Sequence, residues 1–440
     1  MDDSQLQRAA RAVLDQNWTG SFTKPAPSLC PHQWNWEAGF IALGNAYQHF
    51  DRSVSELRHL FSAQWSHGMV PQIVFGPDRE ARYFPGPAFW QAERSPLSPA
   101  GIRTSGITMP PVHGFVLWQL YQAATDKTQA TAFLEEMYPK VLAFHRYLYT
   151  YRDPREEGLV YIRHPWEGGT DNSPLYDQAL ARIEPSPGSL PPYERKDLQN
   201  PKAAAQRPTQ WDYDRYVYLA ELFRRYDYDD AAIYETCPFL IQDPLFNGIL
   251  SWSNEALISI GSHIGADIAE PLQWHELTIW SMNDKLWNEE AGIYGAYDLR
   301  EEALVSVKTA SGLMPLCGEV PTQEQAETLL RTLESATFGG TGAETWLCPT
   351  YDLEAPDINY QKYCRGPVWI NLNWLLYKGL LRYDMKQMAD KVRQHSLELL
   401  AQNGLHEYFD PRREAEDAGC GTGQFSSSAA LAIDLLQIQA

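Results

Sequence analysis

Helical periodicity recurs along this chain, and almost no other regular pattern does. Between Ala130 and Thr150, Leu134, Met137, Tyr138, Val141 and Leu148 fall at helical spacing, and Met385, Met388, Val392 and Leu399 repeat the pattern further on. Each segment reads as an amphipathic helix whose apolar stripe must be covered by a neighbour. Thr322 and Gln325 in PTQEQAETLL have the spacing of a capping box, in which each side chain satisfies an orphan amide at the helix start, so a helix from Thr322 to about Leu333 is expected. Further helices are expected near 4–16, 36–49, 53–65, 112–124, 209–227, 245–262, 268–287, 302–314, 367–381 and 426–437. Sustained two-residue alternation is nearly absent, which leaves little of the chain for sheet. Roughly a dozen helices joined mostly by short turns make stacked helical hairpins, and an all-α toroid of paired helices over 1–440 accommodates them as a single domain.

Two long interruptions, at about 66–108 and 151–206, are rich in Pro and Gly. Loops of this length in a compact domain usually carry function. The chain holds 15 Trp, 24 Tyr and 16 Phe. Most must fill the core. The stretches PHQWNWEAGF, YFPGPAFW and RPTQWDYDRY, however, set rings beside polar groups in loop-like surroundings. Flat apolar rings edged by hydrogen-bonding groups suit the faces of a sugar, so carbohydrate is the ligand class that composition favours.

Charge and motif content exclude several other chemistries. A net charge of −20, with 56 acidic against 36 basic residues, argues against a nucleic-acid partner. The N-terminal MDDSQLQRAARAVLDQNW has no basic start followed by an apolar core, and no run approaches the ~20 apolar residues that span a bilayer. A cytoplasmic protein with no membrane partner is expected, and a homo-oligomer stays open. The six cysteines lie far apart without C-x-x-C spacing, as reduced thiols would. There is no G-x-S-x-G and no H-E-x-x-H; WHEL at Trp274 lacks the second histidine of a metal site, and GTGQF at Gly421 lacks the Lys-Ser/Thr of a phosphate loop. No metal and no cofactor are therefore expected.

Carboxylates remain. Glycoside hydrolysis needs a pair of them, one to protonate the departing oxygen and one to attack the anomeric carbon or activate water. In WEGGTDNSP, Asp171 sits between Gly168-Gly169-Thr170 and Asn172-Ser173-Pro174, in a turn that projects it towards Trp166. An aromatic wall raises a carboxyl's pKa by desolvation, as a general acid working near neutral pH requires. The competing reading is that Asp171 or Asn172 simply caps a turn.

The segments PHQWNWEAGF, GMVPQIVF, YFPGPAFW, TSGITMPPVHG, HPWEGGTDNSPLYD, RPTQWDYDRY, YCRGPVWINLNW, and GLHEYFDP followed by GQFSSSAAL occur in the order found in bacterial glycoside hydrolase family 63. The chain resembles that family from about Pro31 to Ala430, and within it the glucosylglycerate and mannosylglycerate hydrolases. The resemblance implies an (α/α)6 toroid with a central pocket and hydrolysis of an α-glycosidic bond with inversion. It implies that Asp171 is the general acid, Glu407 the general base and Glu37 an acid that helps hold the water. Glu167 is not expected to be the catalytic partner. For inversion the two carboxyls should stand roughly 6.5–9.5 Å apart. The resemblance places Trp34, Trp36, Trp166 and Trp369 around the sugar with Gln424 near the mouth, and makes Tyr83, Arg207 and Tyr213 the aglycone contacts. Tyr363 and Arg365 belong to the same pocket-lining motifs. An arginine fork matches a carboxylate, so the implied substrate is a small glycosylglycerate, while a surface ion pair is the plainer reading of Arg207.

Three positions depart from the family pattern. Met109 stands for the usual Gln, Cys364 for Trp and Glu37 for Asp. The first removes a donor and an acceptor, the second a large wall, and the third lengthens the arm that holds the water. Substrate choice is affected by these changes more than reaction type. Three alternatives stand beside the glycerate reading: an α-glucosidase for a neutral glucoside such as glucosylglycerol, kojibiose or trehalose, a sugar-binding protein without turnover, and a sugar epimerase working through histidines.

Overall fold

The computed structural model describes residues 1–76, 83–186, 188–198, 201–340, 342 and 344–437, with backbone only for 201–203. Positions 77–82 of the first expected loop, and 187, 199 and 200 of the second, lie outside the described residues. Six helical elements form an inner ring: Asn35–Ala46, His113–Ala123, Pro244–Ile264, Ala310–Gly318, Ile370–Arg382 and Ser426–Gln437. Each packs on the next, and the last returns to the first. Their sequences are apolar on nearly every side, as in FIALG and SAALAI, because each is surrounded by protein. A second set covers them from outside: Phe50–Ser62, Lys127–Tyr151, Ala269–Lys285, Gln323–Glu334 and Lys386–Asn403 each back the inner element that precedes them, and Asp3–Asn17 backs Ser426–Gln437. These carry a single apolar stripe, for example Val54, Leu57, Leu60 and Phe61 in FDRSVSELRHLFS. The result is the (α/α)6 toroid.

The ring closes where Gly44 meets Ala430. A Cβ on Gly44 would collide with the Ala430 backbone, so only glycine allows the two chains this close. The expected capping box is present: Thr322 accepts from the Gln325 amide at 3.3 Å, and Gln325 returns the bond to the Thr322 amide at 2.8 Å.

The helix expected over 302–314 is not there. Ala303–Val305 is the edge strand of a three-stranded antiparallel sheet with Ala296–Asp298 and Ile241–Gln242, and the inner element begins only at Ala310 as a 3-10 helix. Pro315 lies inside it and supplies no amide for an α-helical ladder. Strands of two or three residues are too short to show alternation, so no periodic signal announces them. The stretch expected at 209–227 is helical as Gln210–Arg225, but it belongs to the segment between Tyr151 and Pro244 and stands outside the ring.

Connections are sharply unequal. Each of the first five inner elements is left by a turn such as 124–126 or 383–385, and all six are entered from a longer segment such as 63–112, 152–243 or 335–369. Short turns make inner and outer partners antiparallel, so every long segment gathers over the N-terminal ends of the inner ring.

One of those segments is anchored by buried charge. Arg152, at the end of Lys127–Tyr151, grips Glu167 with both arms at 3.0 and 2.8 Å, and Glu167 also accepts from the amides of Arg163 at 2.8 Å and Thr108 at 3.2 Å. Both side chains are buried. Burial pushes the Glu167 carboxyl up, but Arg152 outweighs it and holds the group below its ordinary value. Next to it, Arg163 binds Asp230 at 2.5 Å, and although burial opposes ionisation there too, the guanidinium brings Asp230 down to about 2. Glu167→Gln leaves Arg152 buried with half its compensation, so unfolding in urea at pH 7 should show a loss of about 3–5 kcal/mol. Because both carboxyls are depressed in the native state, their contribution is fully present above the unfolded value of about 4 and is lost as pH falls below it, for Asp230 as pH falls towards 2. The variant should flatten that acid limb, and an unaltered limb would show that the pair does not hold the loop.

Candidate active site

The long segments meet in one pocket lined by Asp171, Glu407, Trp34, Tyr83, Trp166, Arg207, Tyr213 and Tyr363, all of them anticipated above. The Trp166–Pro174 loop owes its path to contacts on both sides. Pro165–Glu167 is a 3-10 turn capped by His164, whose Nδ1 accepts from the Trp166 amide at 3.0 Å. Gly169 then takes a φ of +76°, and a Cβ there would lie 2.6 Å from the six-membered ring of Trp36. Tyr216 donates to the Asp171 carbonyl at 3.1 Å, and Asn172 accepts from the Cys364 amide at 2.8 Å, tying the loop to the YCRGP segment. The cap reading thus applies to Asn172's neighbour Ser173, which starts the Pro174–Tyr176 turn, while the Asp171 side chain faces the pocket.

Glu407 lies on His406–Phe409, paired with Gly419–Gly423. The register slips between His406 and Tyr408, so two steps on one strand face three on the other. Such a bulge re-aims a side chain. Here it sets Glu407 against Thr422, whose amide donates to Oε2 at 3.1 Å. Arg207 reaches the same carboxylate from the far end of the 152–243 segment, Nη1 to Oε1 at 3.1 Å and Nη2 to Oε2 at 2.6 Å. Its guanidinium lies 5.1 Å from the Tyr363 ring centre. Arg207 is therefore an ion-pair residue, as the plainer reading held, but a buried one whose partner is Glu407.

Burial dominates the electrostatics. Desolvation raises Asp171 to about 7, against Arg207, which lowers it, and with Glu407, which raises it further. Glu37, in the first turn of Asn35–Ala46, is pushed to about 8 chiefly by burial, with the charges of Asp171 and Glu407 adding to the effect. Its Oε2 has no hydrogen-bond partner. Near neutral pH the cluster thus contains the Glu407–Arg207 pair, a Glu37 carboxyl that favours the proton and an Asp171 carboxyl close to its midpoint.

Besides Glu37, five anticipated residues stand outside the lining. Trp36 packs beneath Gly169, and Met109 is buried in the core. Trp369 stacks on Tyr408 with ring centres 4.9 Å apart and donates to the Tyr363 carbonyl at 3.0 Å, so it supports the wall from behind. Arg365 is held by Asp177 at 2.9 Å and Asp357 at 2.7 Å. Gln424 bonds Gln16 at 3.2 Å. Conversely, Cys30, Gln72, Lys196 and Asp197 line the pocket without having been anticipated. Gln72 lies within GMVPQIVF and could be found there; its Nε2 donates to the Trp166 carbonyl at 3.3 Å and its Oε1 has no partner, leaving an acceptor for a ligand hydroxyl. Nothing local marks Cys30, Lys196 or Asp197.

Among the described residues no group of three or more His, Cys, Asp or Glu is placed to hold a metal ion, and no helix is long and apolar enough to cross a membrane.

Comparison with known proteins agrees with this geometry. The family described as mannosylglycerate hydrolase MGH1-like glycoside hydrolase domain matches residues 30–428. Mannosylglycerate hydrolase of Rubrobacter radiotolerans is 41% identical over 427 residues, covering 97% of this chain and 96% of its own. Glucosylglycerate hydrolase of Mycolicibacterium hassiacum is 34% identical, with 93% of each chain covered. The crystal structure of the GH63 mannosylglycerate hydrolase of Thermus thermophilus in complex with Tris and D-glycerate has a TM-score of 0.89 at 39% identity, covering 97% of this chain and 99% of that one. Neutral trehalase of Saccharomyces cerevisiae, at 14% identity and a TM-score of 0.56, shares the fold alone. A toroid with carboxyls and aromatic rings at the mouth of its inner ring, matched over nearly its whole length, belongs to the MGH1-like glycoside hydrolases of family 63 and is a glycosidase.

Proposed function

We propose that this enzyme hydrolyses a small α-glycoside of glycerate, glucosyl or mannosyl, with inversion at the anomeric carbon. The observation that carries the reading is Arg207: in a chain of net charge −20, a buried guanidinium faces the same pocket as Asp171 and Glu407, and its Nε has no partner. A cation so placed favours an aglycone that ends in a carboxylate, in keeping with what the relatives' names describe. Asp171 protonates the glycosidic oxygen and Glu407 takes a proton from the attacking water, while Glu37 helps to hold that water. Trp34, Trp166 and the open acceptor of Gln72 take the sugar, and Tyr83 and Tyr213 take the glycerate. Among the described residues no disulfide joins the six cysteines, which suits a reducing compartment such as the cytoplasm.

Anomer-resolved NMR of hydrolysis over glucosylglycerate, mannosylglycerate, glucosylglycerol, kojibiose and trehalose tests substrate and stereochemistry together. The expected result is preference for a glycosylglycerate with β-sugar released first; an initial α-anomer would overturn the mechanism. Asp171→Asn should lower kcat by about 10²–10⁴ with little change in KM, and undiminished turnover would remove the acid from this residue. Because an acid must hold its proton to donate it, activity should fall as pH rises through about 7, and the pH-rate profile should lose that basic limb in Asp171→Asn.

A further inference from the structure

We propose that Arg207 is a latch on the catalytic base, closed on Glu407 as the structure shows it and opened by the carboxylate of the substrate. The inference rests on the roles given above to Glu407 and Arg207 and goes beyond them, since it makes the arginine a control on chemistry as well as a contact for the aglycone. Both Glu407 oxygens are engaged by the fork, at 3.1 and 2.6 Å, and Oε2 also accepts from the Thr422 amide. A carboxylate held by two guanidinium arms has its negative charge compensated and is a weak proton acceptor. In that arrangement Glu407 is positioned with its charge offset by the arginine.

Two features suit the arginine to exchange partners. Its Nε is buried with no hydrogen-bond partner among the described residues, so the fork has a donor left for a second anion. The face of Tyr363, 5.1 Å from the guanidinium, stabilises the cation without fixing its rotation. A glycerate carboxylate entering here competes with Glu407 for the fork. As the guanidinium shifts towards it, Glu407 recovers basicity while the sugar is in place, and Arg207 keeps a counter-charge throughout. A neutral aglycone offers nothing for the arginine to move to, and the base stays compensated. Selectivity for an anionic substrate then arises partly in kcat. Arg207 is accordingly a positioning residue for the base, acting through Glu407.

The test compares two substrates that share one sugar, glucosylglycerate and glucosylglycerol, in wild type, Arg207→Ala and Arg207→Lys. Arg207→Ala should lose about 100-fold or more in kcat/KM on glucosylglycerate, as expected on removing one partner of a buried charge pair. The same variant should gain several-fold in kcat on glucosylglycerol, with the acidic limb of its pH profile moved to higher pH. Lysine keeps the charge without the fork, and should give an intermediate shift in the same direction; that comparison stands if the alanine variant does not fold. An equal fall on both substrates would overturn the latch and leave only a structural support for Glu407. An unchanged rate and profile on glucosylglycerol, with loss confined to glucosylglycerate, would overturn it in favour of a simple aglycone anchor. Undiminished turnover of glucosylglycerate in Arg207→Ala would sink the anionic-aglycone reading together with the latch.

Discussion

The structure depends on ring closure, and closure depends on the missing side chain of Gly44. Asn35–Ala46 and Ser426–Gln437 are the first and last inner elements, and they touch where Gly44 leaves room for Ala430. Glu37 stands about two turns before Gly44 on one of them, and Glu407 belongs to the hairpin that leads into the other. The two carboxyls become neighbours only because those helices meet. A side chain at position 44 would push the backbones apart, and in close-packed interiors such a displacement is transmitted rather than absorbed.

Within the pocket, water exclusion sets most of the electrostatics. Asp171 and Glu37 would ordinarily be ionised at neutral pH, and three carboxylates against one arginine would repel one another. Burial answers this by raising Asp171 to about 7 and Glu37 to about 8, which leaves less like charge around the Glu407–Arg207 pair. The proposed acid and base are thus distinguished by their surroundings: one carboxyl has mainly aromatic walls and a tyrosine, the other a guanidinium and a backbone amide.

The ring is legible in the sequence because outer helices carry an apolar stripe and inner ones a nearly continuous apolar run, most of them over three turns or more. The 3-10 element at Ala310–Gly318 is not, because its neighbours are strands of two or three residues, stabilised by partners far along the chain rather than by any local pattern. The site is legible to the extent that its residues sit in recognisable motifs. Motif membership does not separate the residues that face the pocket from those that brace it, so Trp369 and Arg365 are grouped with Tyr363 although they stand behind or beside it. The pairing of Arg207 with Glu407 spans 200 positions, and no spacing rule encodes a contact that only the closed toroid creates.

The unequal connections divide labour between the two faces of the ring. Tight turns on one side hold partner helices antiparallel and have little room to vary. The long segments on the other side rest on helices that are already paired without them, so they can lengthen, shorten or exchange residues at small cost to the scaffold. Diversification in this architecture is therefore one-sided: new aglycones can be explored by rewriting 63–112 or 152–243 while the helical frame stays as it is. The buried Arg152–Glu167 anchor sets the limit of that freedom, since it is the point at which a variable loop becomes part of the frame.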